Sequence, residues 1–575
     1  MSNAADDVFR IAGTEPDHPL FARKVEGGWR TVSAKEFTEE VDTLAKGLVS
    51  AGIRAGDRVA LMSATRYEWV LVDFAIWTVG AVSVPVYETD SAEQAAWILA
   101  DSGAIAAFAE NARCAQLVEP VGGPVWTIEG GGLDALVAQG AAMPAADVER
   151  RRTVAPGAPA TIVYTSGTTG RPKGCVLTHG NLVAEVDSIM RAQGITESVL
   201  TPESSILLFL PLAHILARIV QLAAVRAGAL TAHTPDLADL TDDLLSFRPT
   251  LIAAVPRVFE RLATTAARAA AARRLGWLFR AAERSAVKYS ERGGAFGHAL
   301  FDRLVYRKLR AALGGRISHA ICGGAPLSRH LGHFLRGAGI SVLTGYGLTE
   351  TTAGVTLNLP HAHRMDTVGR PLPGWSVRIA ADGEVLVRGP GVFAGYWHNE
   401  PATRATLAAE GWLRTGDLGE IHQGYLSITG RKKELIVTAG GKNVAPALFE
   451  DRLNEHWLID NCVVVGDRRP YVSVLLTLDP AGFAEWKRRH HKPSGASVAE
   501  LRYDPDLALT LQSVVDEVNA AVSRAEAIKR FRVLPEAFTV NDELTPTQKI
   551  RRRHVLAKYA EDVEELYYPR PRENA

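Results

Sequence analysis

Up to about residue 430, short apolar runs alternate with longer stretches of helical periodicity. Runs rich in Val, Ile and Ala predict buried strands, and they lie at 58–64, 80–87, 104–110, 160–166, 250–256 and 317–324. The stretches at 66–80 and 91–103 have the length and spacing of helices. Alternation of this kind predicts an α/β protein with layered, largely parallel sheets. Ligands of such sheets bind beyond the carboxyl ends of the strands.

The pattern changes after residue 430. Two runs rich in Val and Leu, at 462–467 and 471–479, predict strands of a small sheet, and 504–524 predicts a helix capped by Asp504. One face of that helix carries Leu507, Leu511, Val514, Val518 and Val522. We therefore expect a large domain over 1–430 and a smaller α+β domain over 431–575.

Residues 268–316 form a basic segment, with twelve Lys and Arg against three acidic residues interleaved with apolar ones. This pattern predicts amphipathic helices with a basic face. Two interpretations stay open at this point: a solvated pair of surface helices, or a face that docks on a membrane surface or an acyl donor.

Composition narrows the class of protein. The 575 residues are 47% hydrophobic and 22% charged, which is typical of a globular protein, and 64 basic residues balance 64 acidic ones. Global charge therefore gives no indication of nucleic acid binding. Cys114, Cys175, Cys322 and Cys462 are too widely spaced for a zinc site and favour a reducing compartment.

No membrane-spanning or secretory segment is expected. The first ten residues have early acids and no apolar segment. The longest uncharged runs, 74–87 and 206–217, fall short of the roughly 20 apolar residues that span a bilayer. We expect a cytoplasmic protein.

The loop YTSGTTGRPKG, at 164–174, has the composition of a phosphate-binding loop, although it fits neither the Walker pattern nor G-x-G-x-x-G. Its glycines let backbone N–H groups approach an anion, its hydroxyls add donors, and Lys173 adds charge. Taken alone, it could equally be a hydroxyl-rich hairpin turn between two strands.

Four later blocks carry further candidate chemistry. GYGLTETT places the carboxylate of Glu350 among hydroxyls, where it could hold Mg²⁺ beside phosphate oxygens. LRTGDLG is expected to hold Asp417 in a tight turn, either as an Asx-turn or as a ribose ligand. GGAPL, at 323–327, leaves room for a flat ring, and PTQK presents Lys549.

Together with GRKKE, at 430–434, these blocks stand in the order and spacing of one family. Over nearly its whole length the chain resembles the acyl-adenylate-forming (AMP-binding) enzymes, which include acyl-CoA synthetases, firefly luciferase and the adenylation domains of peptide synthetases. The resemblance implies ATP, Mg²⁺ and CoA as cofactor and co-substrates.

The resemblance also implies residue roles. The ATP phosphates would be held by Thr165, Ser166, Gly167, Thr168, Thr169, Gly170 and Lys173. The rest of the nucleotide would contact Gly324, Ala325, Pro326, Tyr346, Gly347, Thr349, Asp417, Ile428 and Arg431. Glu350, with Thr165, would hold Mg²⁺. Lys549 would bridge the carboxylate and the α-phosphate during adenylation.

In this family the C-terminal domain acts as a lid that swings between two half-reactions. The hinge position matches Lys433, and Gly440 and Gly441 would approach the pantetheine of CoA. The arginines at 551–553 either contact the CoA phosphates or are solvated, and we favour solvation.

Blocks at 210–218, 255–262 and 431–446 resemble the long-chain fatty acid branch, in which His214 and Gly324 would line the acyl site. The expected function is therefore an ATP-dependent long-chain fatty acid–CoA ligase. The alternatives are a ligase that delivers to a carrier-protein thiol, an aryl or short-chain acid–CoA ligase, and an inactive acyl-nucleotide-binding module. The sequence leaves chain-length preference, oligomeric state and membrane association open.

Overall fold

The computed structural model describes residues 3–165, 171–294, 297–439, 442–520, 522–524, 526–540, 542–545 and 548–568. The chain divides into two units. The first comprises Met1–Arg378, Leu386–Thr415 and Ile421–Ser427, and the second comprises Ile379–Val385, Gly416–Glu420 and Ile428–Ala575.

The first unit contains, within its described residues, a sheet of seven strands. Their order across the sheet is Gly395–Tyr396, Lys173–Thr178, Pro159–Thr165, Val82–Val86, Arg58–Met62, Ala106–Ala109 and Val125–Thr127. The five strands from Pro159–Thr165 to Val125–Thr127 pair in parallel, and the other two are antiparallel. The predicted strands of this region are confirmed.

A second sheet of the first unit has nine strands in the described part of the chain. Their order is Arg370–Pro371, Thr356–Leu357, Ser341–Tyr346, His319–Cys322, Leu251–Ala254, Ser205–Leu208, Leu230–His233, Pro19–Val25 and Gly28–Ser33. Its central strands are parallel, and antiparallel strands flank them on both sides. The largely parallel α/β layering is therefore confirmed.

Helices connect these strands. The α-helices of the first unit are Asp6–Thr14, Ala34–Ser50, Tyr67–Thr78, Ala92–Ser102, Ala112–Val118, Gly132–Gly140, Ala145–Arg152, His179–Met190, Ile195–Ser198, Ile215–Ala227, Leu240–Phe247, Pro256–Ala272, Gly276–Arg292, His298–Phe301, Arg307–Ala311, Arg329–Gly337 and Glu400–Thr406. Shorter turns are the 3-10 segments Glu119–Val121, Thr349–Thr351 and Ala409–Gly411 and the π segment Asp302–Tyr306.

Local sequence explains where two of the helices near the site begin. Ser91 and Gln94 form a capping box before Ala92–Ser102, and Thr178 and Asn181 form one before His179–Met190. Each box satisfies backbone N–H groups that a first helical turn leaves without partners.

The second unit contains a sheet of Ile459–Val465, Val472–Leu478 and Ile528–Val533 and a strand pair Ile436–Val437 and Asn443–Val444. Its helices are Ala447–Asn454, Pro480–Arg489, Val498–Leu501, Pro505–Asn519, Arg552–Lys558 and Ala560–Tyr567, with a 3-10 turn at Lys432–Glu434. Asp504 caps Pro505–Asn519 as predicted, but that helix ends five residues earlier than expected. Val522 lies past its end and still packs against the same core.

Four strands lie where the chain passes between the units: Ser376–Ile379, Glu384–Arg388, Leu413–His422 and Tyr425–Arg431. The four cysteines are buried, and none of them forms a disulfide in the part of the chain that the structure describes. Among the described residues, no helix is both long and apolar enough to cross a membrane.

Candidate active site

The phosphate-loop candidate joins two antiparallel strands. Thr165 ends one strand, Lys173 begins the next, and the two residues pair directly across the ladder. The hairpin that the sequence allowed is therefore present. Ser166, Gly167, Thr168, Thr169 and Gly170 lie outside the described residues.

The helix Ala92–Ser102 supports both ends of this loop. The Trp97 indole donates to the carbonyl of Pro172 at 3.0 Å, and the Tyr164 hydroxyl donates to Asp101 at 2.6 Å. The Arg171 guanidinium lies over the Trp97 ring, 4.6 Å from its centroid. Sequence reasoning missed this support, because Trp97 and Asp101 read only as part of an amphipathic helix.

Glu350 lies in the 3-10 turn Thr349–Thr351, shortly after the strand Ser341–Tyr346. Its carboxylate accepts a hydrogen bond from the Tyr396 hydroxyl at 2.6 Å, and its backbone carbonyl accepts one from the Phe393 N–H at 2.9 Å. The Lys173 ammonium lies over the Tyr396 ring, 5.0 Å from its centroid. Tyr396 therefore links Lys173 and Glu350, a role that no sequence motif had indicated.

The turn that carries Glu350 has an uncommon backbone. Thr352 and Ala353 both have left-handed φ, of 56° and 92°, although neither is a glycine. Gly347 has no room for a side chain, because a Cβ there would lie 1.3 Å from the carbonyl oxygen of Ala353. Backbone strain of this kind clusters at functional sites, so the geometry is consistent with a ligand-binding turn.

A buried carboxyl group supports the same turn. Glu185 accepts hydrogen bonds from the Gly354 N–H at 3.0 Å and from the Trp375 indole at 3.2 Å. Burial raises the pKa of Glu185 well above its usual value, and the two donors oppose that shift. Glu185 was also absent from the sequence-based candidates, since a lone Glu in a helix carries no motif.

The donor set around Glu350 suits Mg²⁺. Mg²⁺ prefers oxygen ligands and is usually held by one or two carboxylates together with substrate phosphates. The Tyr396 bond engages one carboxylate oxygen of Glu350 and leaves the other for a metal. The described residues contain no cluster of three or more metal-ligating side chains, so a metal here would need the phosphates as well.

Thr165 and Glu350 both act on the same buried side chain, Cys175. Burial raises the pKa of the Cys175 thiol, the negative charge of Glu350 raises it further, and a hydrogen bond with Thr165 opposes the shift. The two expected magnesium ligands are thus neighbours of one residue.

The segments of Gly324 and Tyr346, which are expected to contact the nucleotide, lie at the carboxyl ends of two parallel strands. Cys322 pairs with Thr344, so Gly324 and Tyr346 each follow that pair by two residues. Gly324, Ala325 and Pro326 are exposed, whereas Tyr346 is half-buried. A flat ring has access to these residues.

His214 caps the helix Ile215–Ala227, since its Nδ1 accepts the Leu216 N–H at 3.2 Å. A Cβ on Gly323 would lie 3.5 Å from the Leu216 side chain, so this helix start lies beside the 323–326 loop. His214 thus has a structural role at the start of this helix, and its role as an acyl-site residue stays a prediction.

Asp417 lies within the strand Leu413–His422, so the expectation of a tight turn is wrong. Gly416 has a φ of 70° and donates its N–H to Glu384 at 3.0 Å. The glycine of the TGD sequence therefore distorts the strand without ending it. Asp417 is buried and lies 3.0 Å from the half-exposed Arg431 guanidinium. Ile428 is half-buried on the strand Tyr425–Arg431.

Other candidates of the second unit lie in turns. Lys433 is exposed in the turn Lys432–Glu434, next to Lys432, which pairs with Asp382 at 2.5 Å. Lys549 is exposed in a turn closed by two hydrogen bonds with Thr545, at 2.8 and 3.0 Å. Gly440 and Gly441 lie outside the described residues.

The arginines at 551–553 are not uniformly solvated, which corrects the interpretation favoured from sequence. Arg552 donates to both oxygens of Glu450 at 2.6 Å, and Arg551 donates to the carbonyl of Asp542 at 3.1 Å. Arg552 therefore has a structural partner within the second unit.

The structure thus brings Thr165, Lys173 and Glu350 together in the first unit and Asp417 and Arg431 together in the second. A family model described as AMP-binding enzyme matches residues 8–397, and one described as AMP-binding enzyme C-terminal domain matches residues 433–570. The chain belongs to the AMP-binding enzyme family.

Individual relatives agree with this assignment. The chain is 48% identical over 585 residues to a long-chain-fatty-acid–CoA ligase of Mycobacterium bovis, covering 98% of this chain and 97% of that protein. It is similar in fold to the adenylation domain of a carboxylate reductase from Mycobacterium chelonae, with a TM-score of 0.76, 21% identity and coverage of 98% and 91%. The o-succinylbenzoate CoA synthetase of Bacillus subtilis in complex with ATP and magnesium gives a TM-score of 0.69, 22% identity and coverage of 95% and 98%.

Proposed function

We propose that this protein is an ATP-dependent long-chain fatty acid–CoA ligase. It activates the acid as acyl-AMP, releases pyrophosphate, and transfers the acyl group to CoA with release of AMP. The observation that carries the proposal is the Lys173–Tyr396–Glu350 arrangement at the mouth of the phosphate loop. The 48% identity to a long-chain ligase over nearly the whole chain supports the choice of acid.

The proposed first step is attack of the carboxylate on the α-phosphorus of ATP. An O–P bond forms, and the bond between the α-phosphorus and pyrophosphate breaks. The acid is already ionised at neutral pH, so no general base is needed. The obstacle is repulsion between two anions, and Lys173 and Lys549 lower it by charge stabilisation.

Glu350, with Thr165, would hold Mg²⁺, which supplies further positive charge to the phosphate oxygens. The loop from Thr165 to Gly170 would enclose the β- and γ-phosphates. Asp417 would accept hydrogen bonds from the ribose hydroxyls, and Arg431 orients the Asp417 carboxylate. Adenine would contact Tyr346, Gly347, Thr349 and the 324–326 loop, and Ile428 would also contact the nucleotide.

In the second step the thiol sulfur of CoA attacks the carbonyl carbon of acyl-AMP. A C–S bond forms, the C–O bond to AMP breaks, and the thiol proton passes to solvent. We propose that residues 431–575 act as a lid domain with its hinge at Lys433. The lid would carry Lys549 in for the first step and Gly440 and Gly441 in for the second. The acyl chain would pass His214 and Gly324.

One assay tests the activity. The protein is incubated with ATP, Mg²⁺, CoA and a panel of acids from acetate to oleate, while AMP and acyl-CoA are measured. Turnover of the long-chain acids is expected. Turnover of aryl or short-chain acids alone would contradict the long-chain assignment, and acyl-AMP that reacts only with a carrier-protein thiol would indicate the other ligase type. No AMP release with any acid would indicate an inactive binding module.

The lid role is tested by measuring the two steps separately. Lys549→Ala should slow acyl-AMP formation by about 10²–10³-fold, as is usual for a lost charge-stabilising contact. Thioester formation from supplied acyl-AMP should survive. Lys529→Ala, at another exposed lysine of the second unit, is the matched control. Equal loss of both steps would contradict the proposed alternation.

We also propose that residues 268–316 dock this otherwise cytoplasmic protein on anionic membranes. The three acids of the segment are engaged: Glu283 with His330, Glu291 with Arg329, and Asp302 with Arg310. Many of its cations make no ion pair within the described ranges, and these are Arg273, Arg274, Arg280, Arg284, Lys288, Arg292, Arg303, Arg307, Lys308 and Arg316.

Apolar side chains are exposed among these cations. Trp277 is 64% exposed, Leu300 58% and Leu275 41%. Cations attract anionic headgroups, while Trp and Leu insert at the boundary between headgroups and acyl chains. A water-insoluble acid would then reach the enzyme from the membrane that holds it.

Vesicle sedimentation tests the docking proposal. The protein should bind vesicles that contain phosphatidylglycerol, bind pure phosphatidylcholine vesicles much less, and dissociate as salt is raised. Trp277→Ala and the triple change Arg280→Glu, Arg284→Glu and Lys288→Glu should each weaken binding, whereas Arg404→Glu should not. Equal sedimentation of all variants would overturn the proposal.

A further inference from the structure

Tyr396 lies on the two-residue strand Gly395–Tyr396, which pairs with Lys173–Thr178 beside the phosphate loop. Tyr396 itself pairs with Cys175, and its backbone N–H donates to Thr403 at 2.9 Å. A Cβ on Gly395 would lie 2.9 Å from the Thr403 side chain, so the strand is packed tightly here. The ring of Tyr396 thus has a fixed place.

The segment that ends at Tyr396 holds Glu350 at two points. The Phe393 N–H donates to the Glu350 carbonyl, and the Tyr396 hydroxyl donates to the Glu350 carboxylate. The Phe393 and Tyr396 rings pack edge to face, with centroids 4.9 Å apart.

We propose that Tyr396 is a positioning residue for nucleotide and Mg²⁺. Its hydroxyl holds one oxygen of the Glu350 carboxylate, so that the other would be left for the metal, and its ring face holds the Lys173 ammonium beside the phosphate loop. The inference rests on the proposed adenylation site. It assigns the two contacts of one side chain to two separable tasks, metal geometry and phosphate charge.

Two substitutions separate these tasks. Tyr396→Phe removes the hydroxyl and keeps the ring, while Tyr396→Leu removes both. ATP binding is measured by calorimetry without fatty acid, once with Mg²⁺ and once with a chelator. Tyr396→Phe should raise the Kd of ATP with Mg²⁺ about 10-fold, the usual effect of losing a hydrogen bond to a charged group, and leave the Kd with chelator unchanged. Tyr396→Leu should raise both.

Tyr67→Phe is the matched control. It also removes a phenol hydroxyl that donates to a glutamate, Glu40, at 3.0 Å, and both residues are distant in sequence from Tyr396 and Glu350. It should change neither Kd. An unaltered magnesium dependence in Tyr396→Phe would overturn the inference. If the wild-type protein itself bound ATP no better with Mg²⁺, the proposed adenylation site would be wrong instead.

A second measurement tests the inference even if Tyr396→Phe does not fold. Fluorotyrosine placed at position 396 keeps the hydroxyl, and its ¹⁹F resonance reports the surroundings of the ring. The resonance should move when Mg²⁺ is added to the ATP-bound protein. A resonance that is identical with Mg²⁺ and with chelator would also overturn the inference.

Discussion

The Arg431 guanidinium lies 3.0 Å from the carboxylate of the buried Asp417. Arg431 is the more exposed partner, with 48% of its side chain accessible against 3% for Asp417. A buried carboxylate held in one orientation by a cation is well suited to accept hydrogen bonds from two hydroxyl groups of a ligand. This relationship is the basis of the first prediction.

Asp417→Asn should weaken ATP binding. Hydrogen bonds to a charged group are worth about 1.5–3 kcal/mol, so the KM for ATP should rise about 10- to 100-fold. Asp382→Asn should leave that KM unchanged. Asp382 lies in the same unit, pairs with Lys432, and has 53% of its side chain exposed. Steady-state kinetics at saturating acid and CoA measures both. A similar effect of the two substitutions would argue against a ribose role for Asp417.

Glu185→Ala should destabilise the turn that carries Glu350. The substitution leaves the Gly354 N–H and the Trp375 indole without their acceptor, which costs about 2–5 kcal/mol for two buried donors. Adenylation should slow, and calorimetry should show a lower melting temperature. Glu185→Gln retains an acceptor and should be milder. Glu39→Ala, on a side chain that is 65% exposed, serves as the control.

Replacing only one partner of the buried Arg218–Asp73 ion pair should lower the stability of the protein strongly. Arg218 donates to Asp73 at 2.5 and 2.9 Å and also to Thr161 and Ser83. Arg218→Met leaves a buried carboxylate unpaired, at a cost of about 3–5 kcal/mol. Adding Asp73→Asn should recover part of that loss in the thermal midpoint. Additive losses would show that the pair is not coupled.

Asp90→Asn should change how stability depends on pH. Burial, together with the nearby charge of Glu88, raises the pKa of Asp90 from 3.8 to about 7, against an opposing hydrogen bond from Tyr87. The folded protein then holds the Asp90 proton more tightly than the unfolded chain does. The contribution of Asp90 to the stability of the wild type is therefore greatest below pH 4 and falls as the pH rises toward 7.

Relative to Asp90→Asn, the wild type should lose up to about 4 kcal/mol between pH 4 and pH 7, at 1.36 kcal/mol for each pKa unit. Denaturation midpoints of the two proteins, measured side by side across this range, give the difference directly. Parallel curves would show that Asp90 is ionised in the folded protein throughout.

The sequence predicted secondary structure best where the structure depends on residues that are close together in the chain. The six apolar runs predicted as strands in the first 430 residues all formed strands, because a fully buried parallel strand has to be apolar on both faces. Asp504 capped its helix because the capping bonds are local. The expected turn at Asp417 failed, because Gly416 distorts a strand there without ending it.

Arg218 has a role that its motif does not reveal. It ends the block LPLAHILAR, which resembles the long-chain branch, and it is buried in an ion pair with Asp73. Only long-range contacts reveal this, because Asp73 lies 145 residues away along the chain.

The sequence by itself determined the α/β class and the family, and it singled out Glu350, Asp417 and Lys549 as candidates, because these follow from local periodicity and from motifs of contiguous residues. Only the tertiary structure decided what holds those groups in place. Tyr396 and Glu185 come from distant segments, and each is a common residue type with no local signature. Their roles arise when packing brings a donor and an acceptor within 3 Å or so, a condition that no single stretch of sequence encodes.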